Sequence, residues 1–80
     1  MAQNYVEFSQ FIISLAQSVL VGLGEVAETE GEVPQKNIPA AQHSFGVLKM
    51  LHDKSKGNLS DEEQKLIEAL LRELTPKINQ

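Results

Sequence analysis

Cysteine is absent from this chain, so neither disulfides nor thiolate metal sites can support its fold. Tryptophan is absent too. One tyrosine and three phenylalanines are the whole aromatic complement, which leaves aliphatic side chains to fill most of any core. No basic residue precedes Lys36, so the positively charged start of an export signal is missing. Between Phe8 and Gly24 there is no charge of either sign. That run is too short for a membrane span, which needs about 20 mostly apolar residues. It is also broken by Ser9, Gln10, Ser14, Gln17 and Ser18. We read it as an amphipathic helix with more apolar surface than one small core can use.

The chain has 80 residues, a net charge of −4 and a pI near 5.0. It is expected to form a single domain over 1–80. A domain of this size buries only about 60% of its unfolded surface, so a lone copy is marginally stable and association gains weight. The acidic balance argues against nucleic acid, whose binding needs a basic stripe to displace counterions. Lack of cysteine suits a reducing cytoplasm, the expected location.

Three segments carry helical periodicity and none alternates with period two. The fold expected is therefore all-α, with helices over about 5–23, 38–55 and 61–75, assembling as a helical dimer. Asn4 with Glu7 is the expected cap of the first helix, and Gly24 its left-handed end. Residues 25–36, rich in Glu25, Glu28, Glu30 and Glu32, read as an exposed acidic loop. Asn37 should cap the second helix, with Pro39 in the first turn. Its apolar face is Ile38, Ala41, Phe45, Leu48 and Leu51, and Gly46 within it suggests a closely packed neighbour. Gly57 should follow its end. Ser60 and Glu63 form a capping box for the third helix, whose buried stripe is Leu66, Ile67, Leu70, Leu71 and Leu74. A Glu68–Arg72 pair is expected on its outer face. Pro76 should stop it near Thr75, leaving 76–80 as a frayed tail.

Two stretches resemble a known family. One is Phe8-Ser9-Gln10-Phe11-Ile12-Ile13-Ser14-Leu15-Ala16, continuing to Leu23-Gly24-Glu25. The other is Lys56-Gly57-Asn58-Leu59-Ser60-Asp61-Glu62-Glu63 with the leucine-rich helix after it. Together they look like a small uncharacterised bacterial domain family of unknown function. The resemblance runs from about Tyr5 to Leu74. It implies a complete domain of bacterial origin among short cytoplasmic proteins, and it supplies no activity and no catalytic residue. Thr75-Pro76 departs from the more continuous helical ending of that family.

No residue pattern here carries chemistry. His43 and His52 are nine apart, which puts them on different sides of a helix and outside metal-ligand spacing. His43 should be exposed and His52 should sit at the edge of the apolar face. The acidic loop lacks the ligand order of a calcium site. The serines have no glycine-rich elbow or positioned base, and Gly22-Leu23-Gly24 does not open a phosphate loop. Lys49, Lys54 and Lys56 complement a helix dipole. No catalytic residue, metal ligand, cofactor or small-molecule ligand is expected. A pocket of about 300 Å³ or more is not expected in so small a domain, and the chain is not expected to be an enzyme.

The functional expectation is a protein–protein interaction module that associates with itself through the first helix. Phe8, Phe11, Ile12, Leu15 and Val19 are assigned to the core. A second stripe, Val6, Ile13 and Leu20 at seven-residue spacing with Ala16 and Gln17 beside it, is the expected interface. One alternative is a peripheral membrane protein laying this helix into lipid. That reading is disfavoured because the polar side offers Glu7, Gln10, Ser14 and Gln17 rather than Lys and Arg. The other is an adaptor binding one larger protein through the same face.

Overall fold

The computed structural model describes residues 7–79. Its elements are α1 (Phe8–Gly22), α2 (Ile38–Lys54) and α3 (Asp61–Ile78). No strand occurs among the described residues, so the fold is the all-α three-helix domain that the periodicity predicts.

The helix ends follow from local chemistry. α1 starts at Phe8 rather than near Tyr5, because Glu7 is extended (φ −73°, ψ 131°), and the Glu7 side chain makes no capping hydrogen bond among the described residues. Asn4, Tyr5 and Val6 lie outside the described residues. At the other end Gly24 is left-handed (φ 81°). The Glu25 amide donates to the Leu20 carbonyl and the Gly24 amide to Val21, both at 3.0 Å, a Schellman closure that only glycine adopts without strain. Asn37 caps α2 by accepting from the Ala40 amide at 3.2 Å, with Pro39 in the first turn. Ser60 accepts from the Glu63 amide at 3.1 Å while the Glu63 carboxylate accepts from the Ser60 amide at 2.9 Å. This is the predicted capping box, and a cap of this kind contributes about 1 kcal/mol.

Two ends differ from expectation. α2 stops at Lys54, with Ser55 as its cap. Gly57 (φ 83°) instead serves the turn closed by the Asn58 amide on the Ser55 carbonyl at 2.9 Å. α3 continues through Pro76 to Ile78. Proline removes one amide donor near the helix end, where few bonds remain to be lost. Two contacts hold the extra turn: Ile78 packs against the core, and Lys77 pairs with Glu25 at 3.2 Å. Residues 76–78 are therefore helical, not frayed.

Ile12, Ala16 and Val19 of α1, Ala41, Phe45 and Leu48 of α2, and Ile67 and Leu74 of α3 make the core. Leu15, Leu51, Leu66, Leu70 and Leu71 are half-buried around it. α1 and α2 form the most extensive pair. They are tied where α1 ends and α2 begins: the Asn37 amide donates to the Gly22 carbonyl at 2.7 Å. A Cβ on Gly22 would stand 2.8 Å from the backbone nitrogen and Cβ of Ala41. The close approach is thus at Gly22, not at Gly46, which is exposed and has open space around it.

Candidate functional site: the outer face of α1

Ile12, buried completely, marks the centre of the covered side of α1. Phe11 and Ile13 lie one residue before and after it, so each is rotated about 100° from the core direction, to opposite sides. Both are 41% exposed. Phe11 is therefore not the core residue predicted, and Ile13 is exposed in the single chain. Between them, on the far side, lie Gln10, Ser14, Gln17, Ser18 and Val21, all exposed except half-buried Val21.

The expected interface stripe is divided by this geometry. Ile13 and Gln17 lie outside. Ala16, at 6% exposure, belongs to the core and Leu20 packs against that core. The seven-residue spacing fails here because Ala16 and Leu20 stand about 40° and 80° from Ile12, within reach of a broad core face.

The arc bordered by Phe11 and Ile13 contains no charge. Its serine hydroxyls are already engaged: Ser14 donates to the Phe11 carbonyl at 2.7 Å and Ser18 to the Ser14 carbonyl at 3.1 Å. They therefore present methylene surface and no unmet donor. Towards the C-terminal end of α1 the arc becomes the floor of a groove. Val21 and Ser18 lie below, Ala40 and Ser44 of α2 to one side, and Glu28 and Gln35 of the loop to the other, enclosing about 720 Å³. A second cleft of about 390 Å³ lies at the helix ends between Leu23, Ile38 and Ile78. Both reach the size of ligand pockets, against expectation. The first lies between α1, α2 and their long connection, and the second between the two ends of that connection and the end of α3.

The polar cluster nearest to chemistry lies between α2 and α3. His52 Nδ1 is 3.6 Å from Asp53 Oδ1, and its Nε2 is 3.7 Å from Glu68 Oε2. Nε2 is shielded from water and makes no hydrogen bond. Glu68 Oε2 accepts from the Gln64 amide at 2.6 Å. That bond, followed by His52 and then the Arg72 charge, holds the Glu68 carboxyl below its ordinary range. The predicted Glu68–Arg72 pair does not close to ion-pair distance, because Glu68 turns to Gln64 instead. His43 is exposed and His52 half-buried, as helical spacing predicts. No set of three or more His, Asp or Glu side chains among the described residues is placed to hold a metal ion. Lys49 lies over the Phe45 ring at 6.0 Å. No helix among the described residues is long and apolar enough to cross a membrane.

Fold and surface together define a small all-α, three-helix protein with an uncharged outer face on its first helix. The chain belongs to the family described as Domain of unknown function (DUF1844), whose model matches residues 5–77. No curated protein and no solved structure matches it.

Proposed function

We propose that this protein is a non-catalytic interaction module that associates with a second copy of itself through the outer face of α1. The observation that carries the reading is the charge-free arc between exposed Phe11 and Ile13. A two-fold contact brings each residue near a copy of itself or its neighbours, so a charged strip opposes like charge with like. An uncharged strip is self-complementary without any partner group. The solvent side of α3 offers no such strip, since Glu62, Lys65, Arg72 and Glu73 stand on it. The same lack of Lys and Arg on α1 disfavours lipid as the occupant.

Sedimentation of the parent and of Ile13→Glu tests the proposal. The parent is expected to be a dimer at micromolar concentration. The variant should be a folded monomer, because an unpaired carboxylate buried in the contact costs several kcal/mol. Ile13 is exposed in the single chain, so its replacement leaves the three-helix core intact. A parent that stays monomeric at high micromolar concentration overturns the reading.

A further inference from the structure

We propose that the cleft at the helix ends, between Leu23, Ile38 and Ile78, binds a medium-length aliphatic carboxylate. The cleft stands apart from the outer face of α1, and the proposal does not depend on self-association. Its volume of about 390 Å³ falls within the range of small-molecule sites, about 300–1,000 Å³. Three aliphatic side chains line it, each from a different helix: Leu23 follows α1, Ile38 opens α2 and Ile78 closes α3. Leu23 and Ile78 are half-buried against the core, whereas Ile38 remains 39% exposed. An apolar chain laid on this surface removes it from water.

The charges around the cleft select the head group. Lys77 donates to both carboxylate oxygens of Glu25, at 3.2 and 3.4 Å, so these two charges cancel. Lys36, the other ammonium on the cleft, has no carboxylate within ion-pair distance among the described residues. One positive charge is thus left unbalanced in a chain whose net charge is −4, and a monoanion balances it. Lys36 is also held in place. The next residue, Asn37, donates its amide to the Gly22 carbonyl at 2.7 Å. The Lys36 Cγ lies 2.8 Å from where a Cβ on Gly24 would stand, so its stem lies against a glycine that leaves it room. A stem already ordered loses less rotamer freedom on pairing than a free surface lysine. Gln42 is the single uncharged polar side chain on the cleft. A peptide would need several such groups to satisfy its backbone, and an alkyl tail needs none. The chemistry therefore favours a plain alkyl carboxylate over a protein C-terminus.

Titration calorimetry with sodium hexanoate, octanoate and decanoate, each below its micelle concentration, tests the assignment. Saturable one-to-one binding is expected, tightening by up to about fourfold for each added methylene. The parent should prefer octanoate to 1-octanol by up to about fivefold, the worth of a partly exposed ion pair. Lys36→Met keeps an unbranched stem and removes the charge, so that preference should vanish while the dependence on chain length stays. Ile38→Asn should weaken binding of the whole series several-fold. Both positions are exposed, so the core is untouched, and circular dichroism spectra matching the parent check that the variants are folded. Absence of saturable heat overturns the proposal, as do affinities that ignore chain length or are unchanged by both substitutions. Tighter binding of N-acetyl-leucyl-leucine than of decanoate would assign the cleft to a protein C-terminus and overturn it equally.

Discussion

Two glycines at the residue scale show how little composition says about packing. Gly22 is the point where α1 and α2 touch, with Ala41 backbone atoms inside the space a methyl group would need. Gly46 sits mid-helix with nothing within 4 Å. Opposite effects of the same substitution follow. Gly22→Ala should destabilise by about 1–2 kcal/mol, because the clash is with backbone and exceeds the helix-propensity gain. Gly46→Ala should stabilise by up to about 1 kcal/mol, since only propensity changes. Urea unfolding midpoints of the two variants against the parent check both signs. Equal shifts in one direction would mean that α1 and α2 do not cross at Gly22.

At the scale of elements, the α2–α3 contact contains the one side chain among the described residues whose titration departs clearly from its ordinary value. Glu68 is held low chiefly by the Gln64 amide, with His52 and Arg72 adding to it. A carboxyl held low in the folded state binds fewer protons there than in the unfolded chain as pH falls below about 4.5. Stability therefore rises with pH in that window. The Glu68 contribution is complete above the ordinary carboxyl value and is lost as pH falls through the folded one. Glu68→Gln should flatten the acid limb of a stability–pH profile measured by urea unfolding between about pH 3 and pH 7. The difference from the parent should be largest at the neutral end and vanish at the acid end. Because Glu68 is solvent-exposed, salt screens the effect and it should shrink at high ionic strength.

The whole molecule has a core whose fully buried large side chains are Ile12, Leu48, Ile67 and Val19. Around them lies a wider ring of half-buried leucines. Phe11, Ile13, Val33 and Met50 remain exposed, Val33 at 79%. A single layer of this kind gains from any contact that covers the ring, which is why association is the reading favoured at this scale. Mass action gives its thermodynamic signature. If only the folded chain dimerises, the melting temperature must rise with protein concentration. Calorimetry across a hundredfold concentration range should show that rise in the parent and not in Ile13→Glu. A flat parent profile would count against the dimer.

Much of this architecture was legible in the sequence because its signals are short-range. The Asn37 cap, the Ser60–Glu63 box and the closure at left-handed Gly24 each involve residues within five positions of one another. Local hydrogen bonding decides them wherever the segment sits. Helical periodicity likewise identified the core faces of α2 and α3, except that Ile38, expected on the apolar face of α2, is 39% exposed in the first turn and stands outside the core. The site was legible in part: the chain showed that α1 carries surplus apolar surface and no charge, but not on which side. That side depends on where α2 and α3 lie, and helical spacing alone left Phe11 in the core and Ala16 at the interface. Tertiary structure reversed both, because the Gly22–Ala41 contact and the breadth of the bundle fix how α1 is rotated. It also carried α3 past Pro76, through Ile78 on the core and Lys77 on Glu25. Those partners stand far apart along the chain, and only the packed bundle brings them together.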